Sequence, residues 1–128
     1  MKKKFSKKWK SSTKPRKQVK YRKNAPHHIR HKLLSAHLNK DLKKKYGRRS
    51  FPLKKGDEVK VMIGKFKGKS GKIISLNTLK LKVQIDGLQR SKVDGTKVNV
   101  PFEPSNLLIT SLDLEDRKRM GAITKQRK

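Results

Sequence analysis

From Val59 to Leu112 the apolar residues come in short bursts at alternate positions, separated by glycine, lysine and asparagine. A period of two puts one set of side chains on one face of a strand, so each burst predicts a half-buried strand. Val59, Val61 and Ile63 form the first burst. Ile73, Ile74 and Leu76 form the second, and its broken period predicts a bulge. Leu79, Leu81, Val83 and Ile85 alternate cleanly, with Lys80, Lys82 and Gln84 facing out. In "VDGTKVNV" the Asp94-Gly95 pair predicts a hairpin turn leading into Val98, Val100 and Phe102, and "PSNLLITSL" supplies the closing strand. About five strands over residues 51–114 describe a small, mainly β barrel, whose closure removes exposed edges.

The pattern differs on both sides of this barrel. Residues 25–50 carry helical spacing in two short pieces. Pro26 suits a first helical turn, and Ile29, Leu33 and Leu34 share a face behind it. "SAHLNKDLKKKYG" then offers Leu38, Leu42 and Tyr46 at spacing four, with Gly47 as the stop. The opposite faces are almost wholly basic, so these helices are expected to lean on the barrel with one side and on a partner with the other. Residues 1–24 show no sustained period and few apolar side chains. A segment that buries so little cannot offset its ordering entropy, and it is expected to be a disordered basic arm when free. Residues 115–128 form a basic tail that suits either a short frayed helix or extended chain.

Charge then narrows the class of partner. Thirty-eight Lys and Arg stand against nine Asp and Glu, a net charge of +29 with an isoelectric point near 10.9. Self-repulsion on this scale opposes a compact state, so a large polyanion is expected, with nucleic acid the leading candidate. Hydrophobic residues are only 31%, and no run approaches the roughly 20 apolar residues that cross a bilayer, so no membrane insertion is expected. The opening "MKKKFSKKWK" is basic without an apolar stretch behind it, unlike a secretory signal. A chain without cysteine has no disulfide or thiolate metal site, which fits a reducing, cytoplasmic setting. The first 40 residues hold fifteen of the basic side chains and no acid, the first being Asp41. The chain therefore reads as one small domain carrying a basic arm.

Candidate nucleic-acid contacts follow from this distribution. In the arm, Lys2, Lys3, Lys4, Lys7, Lys8, Lys10, Lys14, Arg16, Lys17, Lys20, Arg22 and Lys23 are placed to meet phosphates. Trp9 and Tyr21, interleaved among them, offer surfaces on which bases stack. His27, His28, Arg30, His31 and Lys32 line the first helical piece, and Arg48 and Arg49 precede the barrel. "KGDEVKVMIGKFKGKSGKII", residues 55–74, packs four glycines and six lysines among strand-like apolar residues. Glycine admits positive φ and leaves backbone exposed, so Gly68 with Lys65, Lys67, Lys69 and Lys72 is expected to form an anion-seeking ridge. Phe66 is expected to pack beneath that loop rather than stack on a base.

Catalytic chemistry finds no foothold. The order of glycines and lysine is not that of a P-loop. His27, His28, His31 and His37 cluster on predicted helix, and His27 and His31 stand at spacing four like a metal pair, but no cysteine or carboxylate before Asp41 completes a ligand set. Asp57, Glu58 and Asp86 fall near predicted turns, where they start strands or answer local lysines. No nucleophile-and-base constellation stands out, so no enzyme, metal or cofactor is expected.

"KKGDEVKVMIGKFKGKSGKIISL" resembles a KOW motif, the glycine-centred segment of small SH3-like barrels that bind RNA. Such a motif alone does not separate ribosomal proteins from transcription elongation modules. Its flanks, "NAPHHIRHKLLSAHLNKDLKKKYGRRSFPLKKGDEV" and "DGTKVNVPFEPSNLLITSLDL", are similar to the archaeal and eukaryotic form of the universal KOW-bearing family of large-subunit ribosomal proteins. That family is numbered twenty-four in the bacterial scheme and twenty-six in the eukaryotic one. The resemblance runs from about Asn24 to Arg119, and the chain departs from it where Glu103-Pro104-Ser105 replaces the usual His-Pro-Ser. It implies a structural constituent of the large subunit that binds ribosomal RNA, joins early in assembly and lies at the rim of the peptide exit tunnel. The implied partners are large-subunit ribosomal RNA, neighbouring ribosomal proteins and nascent-chain or targeting factors, with no homo-oligomer. A KOW-type elongation module and a histone-like nucleic-acid compactor are the alternatives. The first normally travels with another domain, and the second would not prefer structured ribosomal RNA to duplex DNA.

Overall fold

A computed structural model describes residues 4–125, so the expected contacts of Lys2 and Lys3 lie outside the described residues. Its centre is a seven-stranded sheet in the order β2-β1-β7-β3-β4-β5-β6. The strands are β1 (Ser35–Leu38), β2 (Ser50–Pro52), β3 (Glu58–Val61), β4 (Ser70–Asn77), β5 (Lys82–Ser91), β6 (Lys97–Phe102) and β7 (Leu107–Ser111). All pairs are antiparallel except β1 with β7, where Leu38 stands opposite Ile109. The sheet rolls around one cluster into a small SH3-like barrel. Strand alternation supplies that cluster: Ala36 and Leu38, Val59 and Val61, Val83 and Ile85, and Leu107 and Ile109 are all buried. Each of the Val, Leu and Ile side chains stabilises the fold by about 1.5–3 kcal/mol when fully withdrawn from water.

The bulge expected at Ile73–Ile74 is present, as a register shift between Ile73 and Ser75 against β5. The Asp94-Gly95 turn also joins β5 to β6 as expected, with Gly95 at φ 88° and the Lys92 amide donating to the Thr96 carbonyl at 2.8 Å. Other expectations fail for local reasons. Ile63 does not continue its strand: β3 ends at Val61, and Ile63 is exposed. Leu79 and Leu81 do not alternate into β5, because the Asn77 carboxamide accepts the Leu79 and Lys80 amides at 3.1 and 2.9 Å and turns the chain first. Leu79 is left exposed, and Leu81 takes a φ of 54°. Closure of the sheet is also incomplete, since β2 and β6 end the strand order unpaired with each other. Both edges carry a proline, Pro52 and Pro101, which has no amide to offer an incoming strand.

The largest departure lies between Ser35 and Leu38. Leu38 belongs to strand β1, not to a helix, and the second helical piece is only α3 (Lys40–Tyr46). Asn39 caps α3 through the Lys40 amide at 2.7 Å, and Gly47 ends it at φ 61°. The first piece is α2 (His27–Leu33), preceded by Pro26. The arm is not irregular throughout. A 3-10 turn over Lys7–Ser11 leads to α1 (Pro15–Asn24), which Pro15 opens and whose Tyr21 is buried. The C-terminal tail forms α4 (Arg117–Thr124), and its Ile123 is fully buried in the barrel cluster.

One ion pair fixes α4 to the barrel. Asp57 is 0% exposed and Arg119 only 9%. Nη1 of Arg119 donates to Oδ1 of Asp57 at 2.6 Å, while Nη2 donates to Oδ2 and to the Pro52 carbonyl. Asp57 also accepts the Lys54 amide at 2.8 Å and the Asp113 amide at 3.0 Å. Asp57 thus answers an arginine 62 residues away, not a local lysine. A bidentate fork with backbone donors filling the remaining lone pairs is the arrangement that a buried carboxylate needs.

Candidate nucleic-acid interface

Three helical segments, each showing one face, bring many of the expected contacts together. The 3-10 turn contributes Lys7 and Lys10, three residues apart and therefore nearly eclipsed. From α1 come Gln18, Tyr21 and Arg22, and from α2 come His28, Ile29, Lys32 and Leu33. Spacings of three and four set each group on a single face. Together they line a cleft of about 560 Å3 with a cationic rim and an apolar floor. Gln18 holds the walls together, its Nε2 donating to the carbonyls of Trp9, Lys10 and Ser12 at 3.3, 3.0 and 2.7 Å. Arg30 ties α2 to α1 in the same way, Nη2 donating to the Lys23 carbonyl at 2.7 Å.

The two aromatic candidates of the arm differ. Tyr21 lines the cleft but is buried, its ring 5.0 Å from that of Phe5, so it is no free stacking platform. Trp9 is half-buried with the Lys20 ammonium 4.9 Å from its ring. The cations Lys8, Lys14, Arg16, Lys17, Lys20 and Lys23 stand exposed around this unit. Lys4 is exposed too, and its carbonyl accepts a hydrogen bond from Asn24 at 3.2 Å.

The glycine-lysine loop between β3 and β4 forms a second basic feature. Lys65, Lys67 and Lys69 on the loop, and Lys72 at the start of β4 opposite Glu58, are all exposed. Gly64 and Gly68 take φ of 92° and 86°, and a Cβ on either would meet nothing within 4 Å. The backbone here is open but its donors are committed. The amides of Lys67, Gly68 and Lys69 donate to the carbonyls of Gly64, Val61 and Phe66 at 3.1, 2.9 and 3.1 Å. The ridge is therefore built from lysine side chains rather than from those amides. Phe66 packs edge-on against Phe102, ring centres 5.8 Å apart, in agreement with the packing expectation. Gly71 has a different use: a Cβ there would lie 2.8 Å from the Asp86 carbonyl oxygen and from the Ile85 side chain. It lets β4 approach β5.

Some expected contacts are occupied or displaced. Arg48 is half-buried, its Nη2 donating to the Lys125 carbonyl at 2.6 Å, so it ties the end of α4 rather than facing outward. Arg49 is exposed. His27 and His31 are exposed on α2 with ring centres 5.0 Å apart, whereas His37 lies on β1 and not on a helix with them. Among the described residues no group of three or more His, Asp or Glu is arranged to hold a metal. Glu103 accepts a 2.6 Å hydrogen bond from Lys82, and this keeps its carboxyl below the usual range. Hydrogen bonds from Thr96 do the same for Asp94 at the β5–β6 turn.

Gln18 and the apolar floor were not among the sequence-derived candidates. Their trace in the sequence is the spacing of Gln18, Tyr21 and Arg22, which marks one face of a helix opened by Pro15.

The family model that describes the eukaryotic L26 ribosomal proteins and their archaeal L24 counterparts matches residues 12–126. Large ribosomal subunit protein uL24 of Korarchaeum cryptofilum is 48% identical over 108 residues, covering 84% of this chain and 82% of its own. The uL24 of Methanosarcina barkeri is 46% identical over 114 residues, 89% and 98% of the two chains. That of Sulfolobus acidocaldarius is 44% identical over 117 residues, 91% and 87%.

Proposed function

This chain belongs to the family of eukaryotic L26 and archaeal L24 ribosomal proteins, and from that premise we propose how it works: as a non-enzymatic constituent of the large ribosomal subunit that binds large-subunit ribosomal RNA. The observation that carries the reading is the placement of charge. A lysine ridge on the barrel and a cationic cleft between arm and helices sit on a fold whose own acids are few and partly used internally. Residues 1–24 act as an RNA-contacting arm, 25–50 as a connecting helical layer, 51–114 as the barrel and 115–128 as a tail anchored by α4. RNA met in this way is recognised through shape, phosphate and 2′-OH contacts, without a major-groove code. Early joining of the subunit, a position at the rim of the exit tunnel in the cytoplasmic ribosome, and contact with neighbouring proteins and nascent-chain factors complete the proposal. Family membership supports all of these, and it favours a ribosomal role over an elongation module or a DNA compactor.

Two measurements test it. Log affinity for a large-subunit RNA fragment should fall steeply and linearly with log salt, because each neutralised phosphate releases counterions. Crosslinking within purified large subunits should join the arm and the Lys65–Lys72 loop to that RNA. A flat salt response, or equal affinity for duplex DNA at matched salt, would remove the reading.

A further inference from the structure

We propose that the cleft between the 3-10 turn, α1 and α2 receives a single unpaired RNA nucleotide, base and phosphate together. The proposal rests on the RNA-binding reading above and makes it local. A cleft that met only the backbone of a paired helix would need cations and nothing else. This one has a rim of Lys10, Arg22 and Lys32 over a floor in which Ile29 and Leu33 are half-buried. The floor is apolar surface left unfilled by the protein, at the base of a wall of positive charge. A ligand complementary to both must be an anion attached to a flat, weakly polar body. The volume, about 560 Å3, falls within the roughly 300–1,000 Å3 of sites for small organic molecules, and is more than a lone phosphate occupies. Sequence-specific contact with RNA is made largely with unpaired bases, which stack on aromatic side chains or guanidinium planes, and a base turned out of the helix also packs against apolar side chains.

The cleft is also held open before any ligand arrives. Gln18 donates its amide to the carbonyls of Trp9 and Lys10 on the 3-10 turn and of Ser12 just after it, and the Tyr21 ring packs 5.0 Å from that of Phe5. The nucleotide therefore meets a preformed site, with the base against Ile29 and Leu33 and its phosphate on Lys10, Arg22 and Lys32. Lys7 and His28 extend the rim for the adjoining sugar-phosphate.

The test uses the full chain and two RNA hairpins of the same stem, each closed by a non-nucleotide linker, one fully paired and one with a single unpaired nucleotide in its stem. Trp9 is the only tryptophan and lies on the 3-10 turn, so its fluorescence reports occupancy alongside anisotropy of labelled RNA. The parent protein should prefer the bulged hairpin by roughly tenfold, the scale of withdrawing about 55 Å2 of base surface from water onto an apolar floor. Ile29→Ser should reduce that preference to about twofold or less, through a loss on the bulged hairpin larger than that on the paired one. Lys32→Ala, at an exposed position that folding does not need, should weaken the bulged hairpin more than the paired one. No preference in the parent, or equal losses on both hairpins, overturns the nucleotide site and leaves RNA binding standing. Failure to bind either hairpin in low salt would instead strike RNA binding itself, and the site with it.

Discussion

Replacing Arg119 by Met puts a number on what anchors α4. The substitution keeps a long flexible side chain over Phe51, whose ring the guanidinium faces at 5.5 Å, and removes only the charge and the donors. Asp57 then keeps its two backbone donors, the Lys54 and Asp113 amides at 2.8 and 3.0 Å, but has no counter-ion. The carbonyls of Pro52 and Asp113 lose a donor as well. Breaking a buried pair from one side costs about 3–5 kcal/mol, and the surviving amides place this case near the lower end. For a domain between the small and large size classes, each kcal/mol moves the melting midpoint by about 3–5 °C, so the fall should be about 10–15 °C. Far-UV circular dichroism melts of Arg119→Met, Asp57→Asn and the double variant provide the assay. The double variant should be more stable than the sum of the single losses by about 1–3 kcal/mol, because it leaves no uncompensated charge. A midpoint within about 3 °C of the parent for Arg119→Met, or strict additivity in the double variant, would refute the pairing as the anchor.

The glycines of the loop should separate under substitution. Gly71→Ala forces a Cβ to within 2.8 Å of backbone and should lower stability by about 1–3 kcal/mol, read as a melting shift. Gly68→Val meets open space but demands positive φ of a β-branched residue, so about 1–3 kcal/mol of strain is expected, with weakened RNA affinity even where the protein is fully folded. Lys67→Ala should melt like the parent and reduce the salt slope of RNA binding by about 1. If Gly68→Val and Lys67→Ala both bind RNA like the parent when folded, the loop does not face RNA. Deleting residues 1–24 should preserve the barrel, since the core cluster contains nothing before Leu34; loss of the β signal in circular dichroism would show that the arm supports the fold.

What could be read from the sequence was what short-range chemistry decides. The bulge followed from two adjacent isoleucines, the β5–β6 turn from Asp94-Gly95, and the end of α3 from Gly47. The misreadings share a cause in distant contacts. Leu38, Leu42 and Tyr46 do keep helical spacing, yet Ser35–Leu38 pairs with a strand some seventy residues later (His37 with Leu108), and that ladder overrides the local pattern. Asp57 looked like a strand starter because its arginine is 62 positions away. Nothing near Gly71 in the sequence marks its use, because the neighbour that requires glycine, Asp86, lies on another strand. The cationic class of the interface was legible from charge alone. Its cleft was not, because three segments must dock before one exists.

The position of β7 in the sheet has a consequence for how the molecule comes into being. It is the last strand made, yet it lies between β1 and β3 and is the only strand that joins the β1–β2 pair to the β3–β6 meander. A chain growing from its N-terminus at about 5–20 residues per second therefore leaves the synthesising machinery as two unconnected half-sheets. They can be united only after Ser111 has been delivered, and α4 locks them later still. Throughout that interval the basic arm is already outside, uncovered by any finished fold. An anion that reaches the nascent chain during this window meets the arm first and the barrel afterwards.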